Sequence, residues 1–221
     1  MEMKKSFLVI RGLVRACTPS MTTEWEEPFD GEPAVFCPNH VGALGPIDMM
    51  AHFELCDTSR PWFNAGIADR KTCPAYVRQD YWWEPGCKLE PLYNVTLPYL
   101  AAAVLPPVLG TVPGVRVYHD MQVIKTFRQS IAILKDREHL IIFPQQPSGY
   151  KSHHMWINKG FLQIAPMAWR SLGLALKFYP VYIDHAAHKI TVRKPIQFDP
   201  ERKLADQEQE ILDTLAQGLR P

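Results

Sequence analysis

The chain has 221 residues, a length that suits one domain, or one domain with a small appendage, and that is sufficient for a substantial buried core. Its 24 basic and 23 acidic side chains nearly cancel, so the overall charge gives no electrostatic basis for nucleic-acid binding. The five cysteines are widely spaced and include no Cys-x-x-Cys pair, which favours a reducing cytosol over a disulfide framework or a structural zinc site.

Residues 1–32 are predicted to precede the main domain as a helix and a linker. Basic and apolar residues are interleaved up to Cys17, and Arg11 interrupts the apolar stretch that a signal peptide would need. An amphipathic helix is therefore expected. It either lies on an anionic membrane surface with its cations at the lipid phosphates, or packs on the domain. Residues 18–32 are polar, contain proline and glycine, and are predicted to be a linker.

Strands and helices alternate through residues 33–221, which predicts a single α/β domain with a mixed sheet flanked by helices. Within it, residues 71–113 are an apolar insertion with more prolines than an ordinary long helix tolerates. The uncharged middle of this insertion, Val95 to Val112, is predicted to form two short apolar helices. These helices dip into a bilayer interface, line an acyl-chain groove, or form a buried core insertion.

The candidate chemistry follows the apolar run 34–36, which predicts the end of a buried strand. Asn39 and His40 come next, and Asp48 follows. An imidazole accepts a proton from a hydroxyl near neutral pH, and a carboxylate on its other nitrogen fixes its tautomer. His40 is therefore the candidate general base and Asp48 its orienting carboxylate. The alternative is that Asn39 and Asp48 only cap a turn and a helix.

Two other groupings indicate chemistry less specifically. Cys37, three residues before His40, has the residue type of a nucleophile beside its base, but a cysteine that ends a buried strand more often serves as a small hydrophobe. Several histidines lack an ordered set of acidic or cysteine partners, so no metal site is predicted. These histidines are His153, His154, His185 and His188.

The order of the segments resembles the glycerolipid acyltransferase family, whose best-known members acylate glycerol 3-phosphate or lysophosphatidic acid. The family opens with Asn-His, four residues and Asp, and here Asp48 lies three residues later than that spacing. The similar blocks, between about Ala34 and Ile196, are Asn39-His40, Gly114-Val-Arg-Val-Tyr-His-Asp120, Phe143-Pro-Gln145-Gln146-Pro-Ser148-Gly149, Lys159-Gly160, Tyr179-Pro-Val181 and Lys194-Pro-Ile196.

The resemblance implies an acyltransferase that moves a fatty acyl group from a coenzyme A or acyl-carrier-protein thioester to a hydroxyl or amine of a glycerolipid-like acceptor. The thioester is a substrate, and no cofactor or metal is implied. The implied location is cytoplasmic, peripheral on the inner face of the cell membrane. A catalytically silent relative that binds lipid or acyl carrier protein, and a thioesterase-like hydrolase, are the alternatives.

The departures from the family pattern shape these expectations. A longer loop or bulge between Gly42 and Pro46 must bring Asp48 back to His40. Two glutamines replace the Glu-Gly of the third block, and a glutamine hydrogen-bonds but does not pair with a cation. In the second block, Asp120 stands where the family has its final Arg, and Arg116 lies close by. Both this change and the loss of the glutamate argue against a phosphorylated glycerol acceptor. Lys151 and Lys159 are candidate cations for a phosphate group, or solvated surface residues. The implied substrate-binding residues are Asn39, Arg116, Gln145, Gln146, Ser148, Gly149, Lys151 and Lys159.

Overall fold

A computed structural model describes residues 4–40, 44–79, 83, 86–147 and 155–221. Over these residues the α-helices are α1 (Lys5–Cys17), α2 (Leu44–His52), α3 (Cys73–Gln79), α4 (Glu90–Leu109), α5 (Val123–Lys135), α6 (Ile164–Leu172) and α7 (Leu204–Gly218), and a 3₁₀ helix (Lys159–Gln163) precedes α6. The strands are β1 (Thr22–Trp25), β2 (Ala34–Pro38), β3 (Ser59–Asn64), β4 (Val115–Val117), β5 (His139–Ile141), β6 (Gln145–Pro147), β7 (Met155–Ile157), β8 (Lys177–Asp184), β9 (Lys189–Val192) and β10 (Ile196–Gln197).

Eight of the described strands form one mixed sheet, which confirms the predicted α/β class. Its order is β1-β9-β8-β2-β5-β3-β4, and β10 pairs with the start of β8. The five strands from β8 to β4 run parallel, β9 is antiparallel to β8, and β1 is parallel to β9. β6 and β7 pair as a separate two-stranded ribbon. The polar segment that follows β5 therefore starts as a strand.

β2 is the buried centre of the sheet, and all five of its residues are buried. Successive side chains of a strand point to opposite faces, so a strand covered on both sides is apolar throughout. Val35 and Cys37 pack with the cluster that includes α5, α6 and α7, whereas Ala34 and Phe36 pack with the cluster that includes α2. The short apolar run in the sequence is therefore the central strand between two helical layers.

The uncharged middle of the apolar insertion belongs to one long helix, so the prediction of two short helices there is wrong. α4 spans 20 residues and contains Pro98, Pro106 and Pro107. A proline inside a helix removes the bond to the carbonyl four residues earlier. For Pro98 that carbonyl belongs to Asn94, and Arg78 of α3 donates Nη2–H to it at 3.2 Å. The neighbouring helix thus satisfies a group that the proline leaves unpaired, and α3 and α4 share a small apolar cluster of their own.

The N-terminal helix is confirmed, but the predicted linker contains β1, a strand of the main sheet. β1 pairs in register with β9, from Thr22 opposite Lys189 to Trp25 opposite Val192. The Trp25 ring also contacts Phe29, Phe36 and Tyr179, so apolar packing holds this strand to the layer over β2. Two aromatic residues in a polar segment are a weak pattern, which is why the sequence favoured a linker.

A buried ion pair joins the start of β3 to the turn before β5. Arg60 is buried, and its guanidinium donates to both carboxylate oxygens of Glu138, with Nε–Oε2 at 2.9 Å. Arg60 also donates to the carbonyl of Asp57 at 2.9 Å. The neighbouring pair of Arg137 and Glu32 is solvent-exposed and has a single bond of 3.2 Å. The two pairs lie close in sequence but differ in burial and in geometry.

Candidate active site

The candidate active site lies at the carboxyl edge of the sheet, where β2, β5 and β8 end side by side. Phe36 of β2 lies opposite Ile141 of β5, and Pro38 lies opposite Val181 of β8. In open parallel sheets, ligands bind outside the carboxyl ends of the strands. His40 comes two residues after the end of β2, so it lies at this edge.

Asn39 fixes the end of β2 to β8. Its side-chain Oδ1 accepts a hydrogen bond from the N–H of Ile183 at 2.7 Å, and its Nδ2 donates to the carbonyl of Ile183 at 3.2 Å. The backbone pairing of the two strands ends at Pro38 and Val181, and the Asn39 amide continues it by one step. Asn39 was predicted to bind substrate, but the structure engages both polar atoms of its side chain within the fold.

His40 is held toward β5. Its backbone N–H donates to Oε1 of Gln145 at 3.0 Å, and its ring packs edge-on against Phe143, with centroids 5.5 Å apart. Phe143 lies two residues after β5, and Gln145 is the first residue of β6. Gln145 replaces the glutamate of the resembled block, and its amide oxygen here accepts from a backbone group of the candidate base.

Asp48 holds a second imidazole that the sequence did not assign to the site. Its carboxylate is buried, with the residue 1% exposed, and Oδ2 lies 3.0 Å from Nδ1 of His185. His185 directly follows β8, and its side chain is 35% exposed. An orienting carboxylate on an imidazole is therefore present at this edge, and its observed partner is His185. The pairing of Asp48 with His40 stays a prediction.

Asp48 reaches this position because α2 begins close to β2. The predicted long loop as far as Pro46 is wrong, since Leu44, Gly45 and Pro46 already belong to the helix. A Cβ on Gly45 would lie 3.3 Å from the Phe143 ring and 3.4 Å from the Asn39 carbonyl oxygen. A larger residue would need its neighbours to shift. The glycine thus permits the helix to start against the strand end.

Burial shifts the pKa values of two titratable side chains near the candidate bases, Cys37 and His52. Burial raises the pKa of the Cys37 thiol far above its usual range, which opposes its use as a thiolate nucleophile. His52, one turn after Asp48 on α2, bonds through Nε2 to the Thr18 hydroxyl at 2.8 Å. Burial lowers the pKa of His52, and the negative charge of Asp48 acts in the opposite direction.

The remaining predicted substrate-binding residues do not assemble into one described cluster. Arg116 is exposed on β4, three strands from β2 and thus about 14 Å away across the sheet. Lys159 pairs with Glu208 of α7 at 2.9 Å. Gln146 lies in β6, but its side chain is outside the described part. Ser148, Gly149, Lys151, His153 and His154 also lie outside the described residues.

The glycine of the second resembled block has a packing role. A Cβ on Gly114 would lie 2.6 Å from the carbonyl oxygen of Pro61 and 2.8 Å from the Phe63 ring, both in β3. A side chain at this position would separate β4 from β3. The residue is therefore explained by strand packing alone.

The pattern that locates His40, a polar residue after a buried strand, also applies to His185. Leu174 to Ile183 is an apolar run that predicts a buried strand, and a polar residue at the end of such a strand is placed at the same edge as His40 if the two strands are parallel. The sequence indicates both strands but does not indicate that they are neighbours.

Exposed apolar residues on α1 and α4 form what we call the apolar surface. In α1, Val9 and Leu13 are each 63% exposed and Leu8 is 40% exposed. Lys4 Nζ donates to the carbonyl of Gly110 at 2.7 Å, which joins the start of α1 to the end of α4. On and beside α4, the exposed apolar residues are Leu89, Leu92, Val95, Tyr99, Leu100 and Val104.

The two arginines of α1 point toward the domain, opposite to one predicted orientation. Arg11 bonds to Asp57, and Arg15 donates to the carbonyl of Ala51 in α2. Both guanidiniums also lie 3.5 Å from the Cys56 sulfur. The helix therefore packs on the domain through Phe7 and its arginines, and Leu8, Val9 and Leu13 are exposed.

One helix within the described residues, α4, is long and apolar enough to cross a membrane, and about a fifth of it is buried. Comparison with protein-family models, with curated proteins and with solved structures found no match to the chain. The candidate site therefore has to be interpreted from its own geometry and chemistry.

Proposed function

We propose that the chain is an acyltransferase that moves a fatty acyl group from a coenzyme A or acyl-carrier-protein thioester to a hydroxyl or amine of a glycerolipid-like acceptor. The observation that carries the proposal is a buried carboxylate bonded to a half-exposed imidazole, Asp48 and His185, at the edge of the sheet where His40 also lies. The resemblance of the ordered sequence blocks supports the same reaction class.

The reaction needs only general-base chemistry. An imidazole at this edge takes the proton of the acceptor O–H or N–H, and the acceptor oxygen or nitrogen attacks the thioester carbonyl carbon. The carbonyl reforms as the C–S bond breaks, and the thiolate that leaves takes a proton from the imidazolium. The acyl group ends on the acceptor, the thiol is released, and the base returns to its neutral state.

We propose that the enzyme works at the cytoplasmic surface of a membrane and meets the bilayer through the apolar surface. Leu44 and Ile47 in the first turns of α2, within about one turn of Asp48 on the same helix, are also exposed. An acyl chain leaving the bilayer would thus meet exposed apolar side chains beside the candidate site. The inward arginines of α1 make apolar contact, rather than charge, the expected source of affinity.

Replacing Val9 and Leu13 together by glutamate is expected to weaken binding to phosphatidylcholine vesicles by at least about ten-fold. Burial of one such side chain is worth about 1.5–3 kcal/mol, and 1.4 kcal/mol corresponds to a factor of ten. Co-sedimentation with vesicles measures the partition coefficient. The control is Trp169→Glu, which alters an exposed aromatic residue of α6. Unchanged sedimentation of the double variant would contradict the proposed membrane surface.

Free-thiol release from long-chain acyl-CoA and acyl-carrier-protein thioesters tests the function. Each donor is assayed with and without a panel of lysolipids and simple alcohols, and acylated products are identified by mass spectrometry. We expect release that depends on an acceptor and yields one acylated acceptor per thiol. Release that is independent of acceptor would instead identify a hydrolase. Lipid binding without release would identify a catalytically silent relative.

A further inference from the structure

We infer that His185, oriented by Asp48, is the general base of this site, an inference that rests on the proposed acyl transfer. The pair consists of a carboxylate from the second turn of α2 and an imidazole from the residue after β8. Oδ2 and Nδ1 are 3.0 Å apart, within hydrogen-bonding distance. Neither residue belongs to a turn that the other helps to build, so the contact is not a local cap.

The geometry assigns the tautomer of His185. An ionised carboxylate only accepts hydrogen bonds, so Nδ1 must carry the proton that lies between the two groups. The neutral ring then has its lone pair on Nε2, which is the atom that a general base uses. Among the residues that the structure describes, Nε2 of His185 has no hydrogen-bond partner, and the side chain is about one-third exposed. A proton donor from a substrate can therefore reach this atom.

The charged surroundings of His185 come from three elements. Asp48 faces it from α2, and His52 lies one turn further along the same helix. In the β8–β9 turn, the His188 ring is 6.4 Å from the His185 ring, and Asp184 accepts the Ala187 N–H through Oδ1 at 2.8 Å. Beyond the end of β2, His40 is the first titratable residue. Asp48 is the member of this set that bonds to His185.

The end of β2 explains why Asp48 meets His185. The Asn39 side chain occupies the backbone groups of Ile183, and Gln145 holds the backbone of His40 on the β5 side. The His185 side chain, just beyond the end of β8, therefore bonds to Asp48 of α2. In this arrangement His40 lines the site on the β5 side, and the acceptor lies between the two imidazoles with its proton toward Nε2 of His185.

The test compares kcat/KM for acceptor-dependent thiol release across pH for wild type, His185→Gln, His40→Gln and His188→Gln. We expect His185→Gln to lower kcat/KM by about 10²–10⁴-fold and to remove the acidic limb of the profile, which reports protonation of the base. We expect His188→Gln to stay within about two-fold. Far-UV circular dichroism and thermal unfolding check that each variant is folded, and His185→Asn repeats the test if His185→Gln is not.

The outcomes separate the inference from the proposed function. An active wild type whose rate and acidic limb survive in His185→Gln, but are lost in His40→Gln, would overturn the inference and leave acyl transfer standing. A wild type that releases no thiol with any donor and acceptor would overturn the proposed function, and the assignment of a base with it. Loss of rate and acidic limb in His185→Gln, with folding retained, supports both.

Discussion

Replacing Asp48 by asparagine is expected to lower kcat/KM for acyl transfer by about 10²–10⁴-fold while the protein remains folded. The asparagine amide is nearly the same size as the carboxylate, so the buried position stays filled. Its NH₂ group, however, donates to Nδ1 of His185 and stabilises the tautomer with the proton on Nε2. The atom that should accept the substrate proton is then a donor, and the base is lost without loss of packing.

The tautomer can be measured independently of the rate. In wild type, the ¹⁵N chemical shifts of His185 should indicate a protonated Nδ1, and in Asp48→Asn a protonated Nε2. The matched control is Asp184→Asn, which alters the carboxylate next to His185 that bonds to a backbone N–H of the following turn. We expect that control to keep activity within about three-fold. Wild-type kcat/KM in Asp48→Asn would show that the observed pair has no part in the reaction.

Replacing Glu138 by glutamine is expected to lower the free energy of unfolding by about 3–5 kcal/mol. Glutamine removes the negative charge that Glu138 places beside the buried guanidinium of Arg60, and the two hydrogen bonds that the guanidinium donates to the carboxylate become weaker or are lost. Urea unfolding followed by tryptophan fluorescence measures the change, provided that the slope with denaturant is unchanged.

The matched control for this pair is Glu32→Gln. Glu32 bonds to Arg137, the residue just before Glu138, but both of these side chains are largely exposed. An exposed ion pair contributes about 0–1 kcal/mol, so the control should be close to wild type. Equal losses in the free energy of unfolding for Glu138→Gln and Glu32→Gln would show that burial of Arg60 does not strengthen its ion pair. An Arg60→Met/Glu138→Met double variant should recover most of the loss, because no uncompensated charge remains.

The position of His40 could be predicted from the sequence, whereas the partner of Asp48 could not. An apolar run followed by a polar break indicates a strand end within a few residues, and periodic apolar residues indicate α5; both patterns are local. Asp48 and His185 are 137 positions apart, and their meeting depends on β8 being the neighbour of β2. Strand order is a property of the whole sheet and has no local pattern.

The predictions for α4 and β1 also differ from the structure, and the orientation of α1 was left open, because each depends on a contact with a distant part of the chain. Three prolines argued against one long α4, and the sequence could not show that Arg78 would supply a donor to the carbonyl that Pro98 leaves unpaired. The polar segment with β1 looked like a linker because its pairing partner, β9, comes far later in the chain. The sequence predicts the amphipathic helix α1 but not which of its sides faces the domain. That side is set by the bonds of Arg11 to Asp57 and of Arg15 to the carbonyl of Ala51.

The strand order also determines when the site can exist during synthesis. β2 is made early, but the residues that pin its end to β8 are separated by 144 positions. At about 5–20 residues per second, a ribosome needs on the order of ten seconds to make that stretch. Until then β2 has no β8 to pair with, and its backbone groups on that side lack their partners in the sheet. Asp48 and His185 can meet only at the end of this interval, so the candidate active site forms late in synthesis.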